Sequence, residues 1–365
     1  MSEPITKPRS LAFRIRVAIL VVIGICALSQ VGRLNRYVIM EGILQSHSPD
    51  PEMLHSLLKN SPDAGVAMAR TWETGKLPHR WEVINYLNRN LGQRPELVPI
   101  VGDLVKEAAN DPDLTLSMTA LNLLRVIDHP DWRQAVSNAL GDPDPDAREN
   151  GVKVMERAGI PIGRLDTNVF HRPEIRGPGF GHLAFNDFKL RSYPLAQFAG
   201  RPVLLHFFAT WSPDCVREIP ELVRLRKLAP PDLAIVGVSV DAVPGVKHHH
   251  AEGEGEHHDC EHCAAVSPDV FKSVERHVIL NKYNYPIVFD TNGVATAQLE
   301  GSELPVHVLL DSEHRLVRRY AGTRSAEVHE GIVRALLGKT PGESTNSVHM
   351  MTDAKERTSK KDQSL

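Results

Sequence analysis

The spacing of apolar residues changes along the chain, and each change marks a different kind of element. A short apolar run covers Val17 to Val31. From about Ile43 to Ala158 the apolar positions recur at helical spacing: Leu54, Leu57 and Leu58, then Leu97, Val101, Leu104 and Val105, then Leu116, Ala120, Leu123, Leu124 and Ile127. Ser61-Pro62-Asp63, Asp111-Pro112-Asp113 and Asp142-Pro143-Asp144 break these stripes. An Asp-Pro pair starts a helix, because the aspartate caps it and proline presets φ in the first turn. Ile160 to Pro178 is rich in glycine, proline and charge and reads as a linker. Beyond Gly181 the pattern becomes strands alternating with helices. Val203–Phe208, Leu233–Val240, Pro286–Phe289, Val306–Leu310 and Leu316–Tyr320 read as strands, and Cys215–Leu228 and Ser267–Tyr283 as helices. That alternation predicts an α/β sheet with helices on its faces, extending to about Leu337.

The last two Asp-Pro turns lie 31 residues apart, each before a helix-period segment. The region resembles HEAT-type helical hairpins, which would stack as a small solenoid and serve as a partner-binding platform or as a spacer. The expected organisation is therefore residues 1–32 as cytoplasmic tip with membrane segment, 43–160 as an all-α HEAT-like region, 161–180 as linker, 181–338 as the α/β domain, and 339–365 as a disordered tail poor in large apolar residues.

Composition narrows the function classes. A length of 365 residues suits about two domains. A net charge of -3 argues against nucleic-acid binding, which needs a strongly basic face. Four cysteines cannot form a disulfide scaffold at this length. The N-terminus points to a membrane. Lys7, Arg9, Arg14 and Arg16 precede the 17–31 run, which as a helix spans roughly 22 Å against a hydrocarbon core of ~30 Å. It suits either a signal peptide, with small residues Ala27 and Ser29 before Gln30, or an uncleaved transmembrane anchor extended by Leu11–Phe13 with Arg14 and Arg16 snorkelling. Cys26 follows Ile25 rather than a small residue, which makes a poor lipidation site. The leading charge keeps the N-terminus in the cytoplasm and predicts a single-pass protein whose C-terminal body is extracytoplasmic, or periplasmic.

Candidate chemistry gathers in two places. In Phe207-Phe208-Ala209-Thr210-Trp211-Ser212-Pro213-Asp214-Cys215-Val216-Arg217-Glu218 a strand runs into a tight turn that opens a helix at Ser212. Backbone N–H groups at such a helix start stabilise an anion. The segment resembles the TlpA/ResA group of thioredoxin-like (redoxin) proteins, whose motif on this strand–turn–helix is Trp-Cys-Pro-x-Cys. Trp211, Pro213 and Cys215 match it, as do Glu218, Pro220, Glu221 and Leu222 on the following helix. Gly301–Asp311 resembles the segment that carries the family's cis-proline. The resemblance implies a cis Leu304–Pro305 bond facing Cys215, and a catalytic site made of Cys215, Ser212, Trp211, Glu218 and Pro305. One departure is decisive: Ser212 stands where the attacking cysteine of the dithiol belongs. A hydroxyl forms no disulfide, so the two-cysteine cycle within this motif is absent. Ser212 remains a good N-cap. Ser212, Cys215 and Glu218 also fit the spacing around the lone cysteine of peroxiredoxins, although Phe208 replaces that family's proline and its arginine has no counterpart.

The second place is the insert at 246–264, far longer than a usual βα loop of about 2–6 residues. Six of the chain's 18 histidines lie in it: His248, His249, His250, His257, His258 and His262. Cys260 and Cys263 complete a ligand set for Zn, Cu or Ni. The same cysteine pair can instead close a disulfide, or act as resolving partner for Cys215, because loops that follow neighbouring parallel strands share one sheet edge. The resulting expectation is a membrane-anchored thioredoxin-like protein in thiol–disulfide redox or metal handling, with a protein partner such as a thiol protein or an assembly factor. The alternatives are a non-catalytic binding module and a one-cysteine peroxidase.

Overall fold

In the computed structural model, residues 68, 72, 77–161, 170–171, 179–243 and 268–338 are described. The 17–31 run, the insert at 246–264 with its cysteines and histidines, and the tail at 339–365 lie outside them. Among the described residues no helix is long and apolar enough to cross a membrane.

The N-terminal part is helical: α1 (Leu77–Asn90), α2 (Val98–Ala108), α3 (Leu114–Val126), α4 (Trp132–Leu140) and α5 (Pro145–Ala158). Val83, Ile84, Leu87, Val101, Val105, Leu116, Ala120, Leu124, Val136 and Val154 form its core, all buried. The two Asp-Pro-Asp turns have the same construction. Asp111 accepts the N–H of Asp113 at 2.8 Å, and Asp142 accepts that of Asp144 at 2.8 Å. Asp113 then caps α3 through the Leu116 N–H at 2.9 Å, and Asp144 caps α5 through the Asp146 N–H at 2.9 Å. A helical N-terminal region is thus present; its helices do not by themselves establish a HEAT repeat.

The C-terminal part is one seven-stranded sheet in the order β2-β1-β5-β4-β3-β6-β7. Its strands are β1 (Ala184–Asn186), β2 (Ser192–Pro194), β3 (Val203–Phe208), β4 (Ala234–Ser239), β5 (Ile287–Phe289), β6 (Val306–Leu310) and β7 (Leu316–Ala321). β3, β4 and β5 are parallel; β6 runs antiparallel to β3, and β7 antiparallel to β6. Helices α6 (Pro213–Leu228), α7 (Pro268–Leu280), α8 (Val294–Gln298) and α9 (Ala326–Leu337) complete the domain. The central strands are buried at every position, which is why they read as continuous apolar runs. The short β1–β2 hairpin and α9 were not expected from periodicity. The stretch read as a linker also contributes packing: Phe170 lies half-buried against the core on one face of the sheet.

Helices and sheet are joined through charge. Arg319 on β7 donates its backbone N–H to the Pro112 carbonyl at 2.9 Å and its guanidinium to Asp113 at 2.9 Å. Arg318 pairs with Asp142. Arg324, just after β7, reaches Asp144 at 3.3 Å and Asp146 at 2.6 Å. The turns that were legible only as helix starts are therefore also the docking points for the sheet.

Candidate functional site

Strand β3 ends at Phe208, and the chain turns over Ala209–Trp211 to open α6 at Ser212. Ser212 has extended backbone, and its hydroxyl accepts the Cys215 N–H at 3.4 Å, a long cap bond. Trp211 is half-buried against the core, Ser212 is 7% exposed and Cys215 only 1%. Burial pushes the Cys215 thiol up from its ordinary pKa, with the Ser212 hydroxyl working weakly against it. The helix start is in place, yet the sulfur on it is an uncharged thiol screened from solvent. A thiolate is the nucleophile, so burial works against attack by this cysteine. The Leu304–Pro305 bond is cis. Gly301 precedes it where a Cβ would come within 2.6 Å of the Phe207 ring, so this loop approaches β3 at glycine distance.

Thr210 ties the turn to the end of the neighbouring strand. Its N–H and hydroxyl both donate to Asp241, at 3.1 and 2.7 Å. These bonds hold the chain just after β4, at Asp241, against the turn that leads to Ser212. Cys260, Cys263, His248, His249, His250, His257, His258 and His262 lie outside the described residues.

Beneath Cys215, one helical turn further along α6, is a cluster that motif reasoning missed. Glu218 is buried among three imidazoles. His206 comes from the middle of β3, His307 from the middle of β6 and His329 from α9, and every one of these side chains has zero exposure. His206 and His307 face each other across the antiparallel pair. Their rings belong to a stack that runs Phe208, His206, His307, Tyr320, with successive centroids 5.4, 5.2 and 4.9 Å apart.

The two oxygens of Glu218 have different surroundings. Oε1 accepts the Arg324 backbone N–H at 2.8 Å and is 3.0 Å from His329 Nε2. Burial keeps the Tyr320 phenol protonated, and its O–H lies 2.8 Å from His329 Nδ1. The tautomer that satisfies both contacts has the phenol donating to Nδ1 and Nε2–H donating to the carboxylate. Oε2 instead lies 3.1 Å from His307 Nε2 and 3.8 Å from His206 Nε2, without the alignment of a hydrogen bond. Burial depresses His206 to about 3 and His329 to about 4, aided in both by the neighbouring His307. For Glu218 burial works upward. The closeness of His307 and the hydrogen bond from His329 outweigh it and hold the carboxyl below the usual range. A sequence signal for this cluster did exist: a histidine inside each of two otherwise apolar strand runs, Val203–Phe208 and Val306–Leu310.

The comparisons with known proteins fall on this domain. The redoxin family profile matches residues 183–337. Solved structures similar to the chain include StoA from Bacillus subtilis, at 17% identity over 40% of this chain and 92% of that one, with a TM-score of 0.31. A thioredoxin-family thiol:disulfide interchange protein from Chlorobium tepidum matches at 19% identity, over 45% of this chain and 99% of that one, with a TM-score of 0.34. A DsbF homologue from Corynebacterium diphtheriae matches at 19% identity, over 46% and 92%, with a TM-score of 0.35. The profile match begins at Leu183, just before β1, and ends with α9, so it takes in the whole seven-stranded sheet and the Ser212–Cys215 helix start. The C-terminal domain of this protein is a thioredoxin-like domain of the redoxin family.

Proposed function

We propose that the protein is a thioredoxin-fold binding module, held outside the cytoplasm by its N-terminal segment, that has given up disulfide exchange at its own motif. The burial of Cys215 behind a serine cap carries this reading. With no sulfur at position 212 and a protonated, shielded thiol at 215, the motif has neither attacking nor resolving group. The same facts weigh against a one-cysteine peroxidase, which needs an accessible thiolate. The helical region is then the natural surface for a protein partner, since it is locked to the sheet by buried arginine–aspartate pairs.

A second reading has one observation in its favour. Thr210 binds Asp241 just after β4, the strand that precedes the His/Cys-rich insert in the sequence. Cys260 and Cys263 are then suited to bind Zn, Cu or Ni, or to act as the thiol pair that the motif lacks.

An insulin-reduction assay on the full chain, read together with thiol alkylation at pH 8, tests both. The binding-module reading expects no turnover by the parent, slow alkylation of Cys215, and turnover that appears on Ser212→Cys. Turnover by the parent that disappears in Cys260→Ser or Cys263→Ser establishes the second reading and removes the first.

A further inference from the structure

Glu218 Oε2, both ring nitrogens of His206 and both of His307 are buried polar atoms with no hydrogen-bond partner, and they lie in one patch. Buried polar groups in folded proteins are nearly always satisfied, so such a concentration calls for a missing partner. Three of these atoms, one each from His206, His307 and Glu218, lie within 4.8 Å of one another. The separations from Glu218 Oε2, 3.1 Å to His307 and 3.8 Å to His206, bracket the roughly 3.4 Å between ligand atoms on a tetrahedral ion with ~2.1 Å bonds.

The surroundings are arranged as they are around metal ligands. The other Glu218 oxygen is fixed by His329 and by the Arg324 N–H, and His329 is fixed in turn by Tyr320. Ligating carboxylates are held by hydrogen bonds of this kind. The imidazoles come from neighbouring strands and the carboxylate from a helix packed against them, so the fold itself sets the spacing. We propose that His206, His307 and Glu218 bind a divalent cation inside the thioredoxin-like domain. Two imidazoles and a carboxylate suit Zn²⁺, whereas a soft cuprous ion prefers sulfur. With no ligand exposed, the ion is taken up as the chain folds. This site is separate from the His/Cys-rich insert and uses no sulfur, and it stands or falls independently of the reading of Cys215.

The test uses Zn²⁺ alone. The full chain is unfolded in denaturant with chelator, refolded with or without Zn²⁺, washed with chelator, and analysed for bound metal and melting temperature. A companion chain has Cys260, Cys263 and the six histidines of the insert replaced by serine. Both parent and companion are expected to retain about one equivalent of zinc and to melt higher with it. The zinc X-ray absorption of the companion is expected to show nitrogen and oxygen neighbours without sulfur. His307→Phe keeps an aromatic ring in the stack and is expected to fall at least tenfold in retained zinc and to lose the shift in melting. If His307→Phe does not fold, His206→Phe asks the same question of the second ligand. No retained zinc in the parent, or zinc unchanged in the phenylalanine variants, overturns the site.

Discussion

Two groups of buried charged and polar side chains meet at β7 and the residues just after it, and they are finished to different degrees. On the side facing the helical region, Arg318, Arg319 and Arg324 each meet an aspartate from an Asp-Pro-Asp turn, and the leftover donors of Arg319 reach the Leu299 and Glu300 carbonyls at 3.0 and 2.6 Å. Toward α6 and α9, Tyr320, His329 and one oxygen of Glu218 are equally well paired, but the chain of hydrogen bonds stops at Glu218 Oε2, His206 and His307. Unpaired groups in a low-dielectric interior are costly, whereas paired ones roughly balance their desolvation. The first group therefore behaves as structure, and the second as a site built to receive something.

The comparison breaks first at its paired side. Arg319→Met leaves Asp113 charged and buried without its partner, and should lower unfolding free energy in urea by about 3–5 kcal/mol. Adding Asp113→Asn, which keeps an N-cap for α3 without the charge, should recover most of that loss. Equal stability of Arg319→Met and parent would mean that the interface is not formed in solution.

Acid should loosen the second group. His206 and His329 titrate at about 3 and about 4 in the folded protein, against ordinary values near 6.5. The unfolded chain therefore binds more protons as pH falls through 6.5, and stability present above that pH is lost progressively down to about 3. Glu218, depressed in the fold, adds to the loss below its ordinary carboxylate range. Urea midpoints measured from pH 7 to 4 should fall steadily; a flat profile contradicts the burial of these imidazoles.

A smaller effect sharpens the contrast. With chelator present, His206→Leu removes two buried nitrogens that have no partners, so it should change stability by less than about 1 kcal/mol, or raise it, and should flatten the pH profile. A loss as large as that of Arg319→Met would place a fixed hydrogen bond on His206. The smallest expected change is Ser212→Ala, about 0.5 kcal/mol, because its cap bond is long at 3.4 Å. Calorimetry measures it, and slower alkylation of Cys215 should accompany it, because the hydroxyl that favours its thiolate is gone.

Several elements were readable from the chain because their cause is local. The buried strands at Val203–Phe208 and Val306–Leu310 follow from continuous apolar runs, and the start of α6 follows from Ser212-Pro213. The Asp-Pro-Asp turns were recognised as helix starts for the same reason. Their second role was not readable, because it depends on arginines at 318, 319 and 324 that approach only once β7 is built. β1 and β2 are not legible in the sequence because three-residue strands carry too few positions to show alternation.

At the candidate site the division is the same. The sequence by itself determined that a Trp-Ser-Pro-x-Cys turn opens a helix, that the attacking sulfur is absent at position 212, and that Glu218 lies one turn beyond Cys215. These are facts of residue identity and of 3.6-residue periodicity. Only the tertiary structure decided that Cys215 is a shielded thiol, since burial comes from neighbours distant in sequence. It alone also brought His206, His307 and His329 around one carboxylate. The pairing of β3 with β6 and the packing of α6 and α9 set that meeting, and no spacing along the chain encodes it.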